Sequence, residues 1–227
     1  MKKLFILFIV MILCIPTIIG CSSPSDNTSP TWISQKNPVS DQVPLACICG
    51  TSSTDVFAVG GQGAIIHYNG NAWSSMTSNT TNTMVGIWSN SPSNVFATGN
   101  QGTILHYNGK TWSQMVSGTA GYIGRVWGTS SSDVFAVGAQ GIILHYDGNA
   151  WSSMTSSTTN TLYNIWGSSS SDVFAVGNQG TIMHYDGNTW SNMPSGTTSH
   201  LFGVWGSSPS DIFAVGDQGI ILHYSKK

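Results

Sequence analysis

At 227 residues the chain is long enough for one domain with a full core, or for a closed array of small units. Only 7% of its residues are charged, against roughly 25% in ordinary soluble domains, and the net charge is −2. There are six lysines, one arginine (Arg125), nine aspartates and no glutamate, and Lys2, Lys3, Lys226 and Lys227 sit at the extreme ends. No basic patch remains to neutralise phosphates, which argues against nucleic acid as a partner.

In chain order, Lys2 and Lys3 open a positive segment, Leu4 to Ile19 is an almost unbroken apolar run, and Ile18-Ile19-Gly20-Cys21 closes it. The run is 16 residues, short of the ~20 needed to span a bilayer, and it contains Pro16. The segment resembles the lipobox of bacterial lipoprotein signal peptides. That resemblance implies a lipid on the Cys21 thiol and cleavage after Gly20. Residues 1–20 are therefore read as a signal peptide. Residues 21–30, Ser- and Pro-rich, are too polar to fold alone and are read as a flexible tether. Ser22 after the cysteine implies, by the same resemblance, the outer membrane where a cell has one. The expected location is extracytoplasmic and membrane-anchored through Cys21.

Residues 31–227 are one unit written five times. His67, His106, His145, His184 and His223 are each 39 apart. Phe57, Phe96, Phe135, Phe174 and Phe213 keep the same step, as do Tyr68, Tyr107, Tyr146, Tyr185 and Tyr224. Trp88, Trp127, Trp166 and Trp205 keep it too, with Cys49 in the first place. Fixed periodicity without insertion predicts identical units in identical surroundings.

Each unit predicts four short strands, and the third shows them. Strand a ends at Val126-Trp127, and strand b is Asp133–Val137. Gly138–Gly141 turns the chain, and strand c is Ile142–Tyr146. Asp147-Gly148 signals a tight hairpin with positive φ, and strand d carries Trp151–Met154. No stretch has helical spacing. Four strands per ~40 residues is the blade pattern of a β-propeller, so the expected fold is all-β with five blades. The fifth repeat stops before its strand d, while Thr31-Trp32-Ile33-Ser34 looks like a strand d with no repeat before it. The expectation is that the Trp32 strand completes the last blade and closes the ring as a monomer, which removes exposed edges; an open stack, or a ring completed by another chain, is the alternative.

The unit Ser171–Gly177 followed by Gly180–Trp190, with its Asp186-Gly187-Asn188-Thr189-Trp190 stretch, resembles Asp-box (sialidase-type BNR) repeats. It is also similar to the propellers of photosystem II assembly-factor relatives. The likeness covers about residues 31–227 at the level of the repeat and implies fold more strongly than activity.

Most polar residues follow the repeat and are read as structural. The five in-register histidines lie on strand c, two strands from the axis and roughly 10 Å beyond the inner strand at ~4.8 Å per step, too far apart to share a metal. Asp55, Asp133, Asp172 and Asp211 (Asn94 in the second unit) precede strand b as turn caps. Cys47 and Cys49, two apart on one strand, are read as small core residues rather than a disulfide. No metal or other cofactor is expected.

Subtracting the repeat leaves Tyr122, Tyr163 and Phe202 among the body's aromatics, His200 among the histidines, and Arg125. All five fall in the connector from strand d into the next strand a. Asn164 shares the repeat position of Arg125, where other units have Cys47, Gly86 and Gly203. Aromatic faces, one cation and an amide at one rim fit a ligand site for a glycan or an extracytoplasmic protein. The alternative is that these residues only pack between blades. Glycosidic hydrolysis needs two nearby carboxylates. A sialidase-like site, by resemblance, would add an arginine cluster and a Tyr/Glu pair, which one arginine and no glutamate cannot supply. Asp41 and Asp217 are the only out-of-register aspartates of the body. The reading is a non-catalytic binding module, with an assembly factor for a membrane complex as the alternative and a glycoside hydrolase behind both.

Overall fold

The structure, a computed structural model, describes residues 31–225. The signal peptide, Cys21 and the tether (residues 21–30) lie outside the described residues. The described part falls in two units, a short one ending at Gln35 and the body from Lys36 onward.

The body holds nineteen strands in five antiparallel sheets. Blade one is β1 (Leu45–Ser52), β2 (Asp55–Gly60), β3 (Ile65–Tyr68) and β4 (Trp73–Met76). Blade two is β5 (Met84–Ser91), β6 (Asn94–Gly99), β7 (Ile104–Tyr107) and β8 (Trp112–Met115). Blade three is β9 (Ile123–Ser130), β10 (Asp133–Gly138), β11 (Ile143–Tyr146) and β12 (Trp151–Ser153). Blade four is β13 (Leu162–Ser169), β14 (Asp172–Gly177), β15 (Ile182–Tyr185) and β16 (Trp190–Met193). Blade five is β17 (Leu201–Ser208), β18 (Asp211–Gly216) and β19 (Ile221–Ser225). The first strands of successive blades pack side by side and form the inner rim. Four strands per 39-residue repeat is the expected propeller blade, and the fold is a five-bladed β-propeller array.

Local chemistry explains each blade. Strand b is apolar on both faces (Asp-Val-Phe-Ala-Val) because a blade lies on each side of it, and its interior positions are almost wholly buried. The b–c connection is a single 3₁₀ turn in which the Gln sits at positive φ, for example Gln62 at 54°, followed by Gly63 at 70°. The c–d connection is a four-residue loop rather than a two-residue hairpin. Asp147 Oδ1 accepts from the backbone N–H of Asn149 (2.8 Å) and Ala150 (2.9 Å), and Gly148 takes φ 95°. An Asx side chain thus closes the loop and leaves only the glycine in the left-handed region.

The core is divided into cores between adjacent blades. Each blade's trailing flank offers Phe, Val and Ile, and the next blade's leading flank meets them. Between blades one and two, Phe57, Val59 and Ile65 pack on Met84, Ile87, Val95, Ala97, Leu105 and Trp112. Blades three and four repeat the set with Phe135, Val137 and Ile143 against Leu162, Ile165, Val173, Ala175, Met183 and Trp190. Each such buried Phe or Ile contributes about 1.5–3 kcal/mol over leaving it exposed. The strand-d indoles add a directional link, donating to the Met sulfur of the preceding blade: Trp112 to Met76, Trp151 to Met115 and Trp190 to Met154, each at 3.4 Å.

At the rim a large ring meets a glycine. A Cβ on Gly128, Gly167 or Gly206 would come within 3.0, 2.5 or 2.6 Å of the Trp88, Trp127 or Trp166 ring of the blade before. The first joint inverts the sizes. Cys49 replaces the tryptophan and Ser89 replaces the glycine, and Cys49 Sγ donates to Ser89 Oγ at 3.4 Å.

The expected closing strand is not formed. The fifth sheet has three strands, ending at the unpaired edge of β19. Residues 31–37 carry no strand and Trp32 is fully exposed. Two physical reasons account for this. In the complete blades strand d is delivered by a four-residue loop from strand c, whereas a strand from the other end must meet the entropy of a much longer closure. In addition, the strand-d methionine that accepts the neighbouring indole corresponds to Gln35 in that segment. Nor does the leading flank of blade one pack on the trailing flank of blade five in the manner of the internal joints.

The inverted joint is testable. Cys49→Trp should clash with Ser89 and destabilise the protein by about 1–3 kcal/mol. Adding Ser89→Gly should recover most of that loss, as measured by denaturant unfolding in a double-mutant cycle.

Candidate functional site

The five in-register histidines each pair with the Asp or Asn before strand b, four with Asp and one with Asn. His67 Nε2 lies 2.8 Å from Asp55 Oδ1, His145 Nε2 2.7 Å from Asp133 Oδ1, and His184 Nε2 2.8 Å from Asp172 Oδ1. In blade two Asn94 stands for Asp and meets His106 Nε2 at 2.7 Å. Burial pushes the His106 imidazole below its usual value. The other Asp oxygen accepts from Thr51, Thr129, Ser168 or Ser207. Hydroxyl, carboxylate and imidazole recur together, but both partners bond to the carboxylate and none of these hydroxyls bonds to its histidine. A nucleophile–base pair requires that missing bond. The ring of each histidine instead lies on its blade's Phe, with centroids 4.3 Å apart for Phe57–His67 and 4.5 Å for Phe135–His145. Among the described residues no cluster of three or more His, Cys, Asp or Glu is arranged to hold a metal ion.

The non-repeating residues gather on one side of the array. The start of each inner strand lies beside the b–c turn of its own blade: Leu162 pairs with Gly177, and Asn178 N–H donates to Thr161 O at 2.9 Å. Tyr122, Arg125, Tyr163, Asn164, His200 and Phe202 therefore share that face of blades three to five.

Arg125, at the start of β9, reaches back across blade two. Its Nη1 donates to Val85 O (2.8 Å) and to Cys47 Sγ of blade one (2.9 Å). Arg125 and Cys47 occupy the same repeat position two blades apart. The glycine between them, Gly86, makes the approach possible, since a Cβ there would lie 2.9 Å from Gly124 O and 3.1 Å from Arg125 Cα. Arg125 has no carboxylate partner among the described residues.

Tyr122 lies over Gly124, whose Cβ would meet its ring at 3.0 Å. Burial raises the Tyr122 phenol above its usual value, with Arg125 opposing and Tyr163 adding to the rise. Tyr163 and Phe202, equivalent positions on β13 and β17, pair with ring centroids 5.4 Å apart. Asn164 Nδ2 donates to Phe202 O at 3.0 Å. His200 Nδ1 accepts the Gln179 backbone N–H at 3.1 Å, so this nitrogen carries no proton. His200 also lies 6.4 Å from the Phe202 ring.

The structure thus joins the six residues in two groups. Tyr122 and Arg125 serve blade three, and Tyr163, Asn164, His200 and Phe202 bridge blades four and five. Asn164 and His200 spend polar atoms on these bridges. The exposed faces of Tyr122 and Phe202, and the unpaired charge of Arg125, remain for a ligand.

Three participants were not singled out from sequence: the small residues Gly86 and Gly124 and the buried Thr98. Departure from the residue that other units place there was the signal for Gly124 and Thr98, while Gly86, matched by Gly203, gave none. Thr98 replaces the valine of the other units, and its buried Oγ1 has no hydrogen-bond partner. Cys49 is not a nucleophile at neutral pH, because burial pushes its thiol to about 11. Thr98→Val should raise stability by about 1–3 kcal/mol, since the lone hydroxyl carries a desolvation cost with no bond in return; a thermal melt that stays put or falls would contradict this.

No protein-family model and no curated protein matches the chain. Solved structures match at the level of fold. YCF48 bound to a D1 peptide is 18% identical at a TM-score of 0.63, covering 84% of this chain and 67% of that one. YCF48 from Cyanidioschyzon merolae is 15% identical at 0.64, covering 82% and 69%. The WD40 β-propeller domain of Doa1 is 8% identical at 0.69, covering 80% and 65%. The chain spans about two thirds of the length of these structures, and the architecture they share with it is that of the β-propeller.

Proposed function

We propose that the protein is a non-catalytic, lipid-anchored binding propeller of the cell envelope that takes an extended protein segment bearing a carboxylate at its inner rim. The observation that carries this reading is the gathering of nearly every non-repeating aromatic and the only arginine on one face of blades three to five. A repeat that copies itself elsewhere departs from its pattern where a ligand would be met. Arg125, positioned by Cys47 and Val85 and free of any acidic partner among the described residues, suits a carboxylate. Tyr122, Tyr163 and Phe202 offer rigid aromatic faces for the flanking side chains. The YCF48 structure carrying a D1 peptide favours a protein segment over a glycan, and the repeats' likeness to assembly-factor propellers favours a partner in the membrane.

The test is affinity capture of the detergent-solubilised full chain from its own membranes, followed by titration with peptides of the captured partner. Tyr163→Ala with Phe202→Ala should weaken binding at least tenfold, and Arg125→Gln should weaken a carboxylate-bearing peptide more than its amidated form. Selective binding on a glycan array, lost in the same variants, would replace the protein reading with a lectin.

Anchoring is tested separately. Cys21→Ala should move the protein from the membrane to the soluble fraction and abolish labelling by radioactive palmitate.

A further inference from the structure

The two ends of the blade array are unfinished halves of one joint. Inside the array, Trp88, Trp127 and Trp166 each cover the glycine of the next blade. Trp205 belongs to this series but is 59% exposed. Gly50 belongs to the glycine series, yet the three atoms nearest a Cβ there belong to Asp55 and Val56 of its own blade, with no tryptophan ring among them.

The surrounding positions say the same. Ile65, Ile104 and Ile143 are 0% exposed, whereas their equivalent in blade five, Ile221, is 69% exposed. Val215 is likewise exposed where Val59, Val137 and Val176 are buried. On the other end, Ile48 is 62% exposed where Ile87, Val126 and Ile165 are at most 6%. Repeat arrays that end in solvent cap their last faces with polar residues. Both end flanks here keep the apolar residues of an internal joint, and contiguous apolar surface of this kind marks an association site.

We propose that the trailing flank of blade five docks on the leading flank of blade one of a second copy, with Trp205 over Gly50, reproducing the internal Trp-on-Gly joint between chains. Two observations favour a second copy over closure of one chain on itself. The flanks of one chain do not pack together in the manner of the internal joints, and three of the four internal steps are held by a ring-on-glycine contact, so closing the arc would require re-angling joints that are already packed. The joint is heterologous, head to tail, so each copy keeps one free flank until a ring closes or the series runs on.

The test uses the full chain in mild detergent, followed by analytical ultracentrifugation over a hundredfold range of concentration. The wild type should self-associate. Trp205→Asp and Ile48→Asp, both at exposed sites, should each be monomeric, with unchanged circular dichroism and thermal midpoint showing that the blades remain folded. Mixed together, the two variants should give a heterodimer and nothing larger, because Ile48→Asp supplies an intact Trp205 flank and Trp205→Asp an intact Gly50 flank. A wild type that stays monomeric at every concentration, or association that survives Trp205→Asp, would overturn the proposal. In the monomeric case, quenching of Trp205 fluorescence by acrylamide separates a ring closed on itself, with a protected indole, from an arc with open ends.

Discussion

Everything in this propeller depends on the fit of one blade against the next. A single four-stranded sheet of this size cannot bury its strand b on both faces. Stacking solves the problem, and most joints draw on the same contacts. Phenylalanine, valine and isoleucine of one blade enter a pocket made by the next, a tryptophan ring covers a glycine at the rim, and an outer indole donates to a methionine sulfur. Because the contact is directional, with different residues on the two flanks, the array has a front and a back. The equal length of the repeats follows, since one added residue in any strand would turn the flank residues to the wrong face.

Much of this was legible in the sequence. The 39-residue step gave the number of blades, and the placement of histidine on the third strand was enough to set it away from the inner rim. Each histidine does meet the Asp or Asn predicted to cap its own blade's turn. What the sequence could not supply was curvature. How closely the Trp127 ring approaches Gly167 is a distance that residue names do not encode. Counting strands alone, an orphan strand at the start and a missing one at the end looked like a closed ring. The hairpin turn was misread for a related reason. Asp-Gly suits a two-residue turn, but here the Asp side chain closes a four-residue loop by accepting two backbone N–H groups.

The candidate site shows a mixture of the two readings its residues allowed. Removing the repeat picked out residues that share one face, and Tyr163 and Phe202 are in contact across blades four and five. Yet Asn164 and His200 bridge blades four and five, and Arg125 ties blade three to blade one. Position alone could not distinguish these duties, because a residue on an inner strand belongs to the rim and to the joint at once. The vacancies at Gly86 and Gly124 matter as much as the side chains that use them.

The Cys49–Ser89 pair has a consequence for how such a gene can change. Units joined by a tryptophan and a glycine share one kind of joint, so a later unit could be duplicated without changing that ring-on-glycine contact. The first two do not share it, because a tryptophan brought against Ser89 has no room and a glycine brought against Cys49 leaves a void. The pair therefore works as an address, fixing which unit comes first and which comes second while leaving the number behind them open to gain or loss.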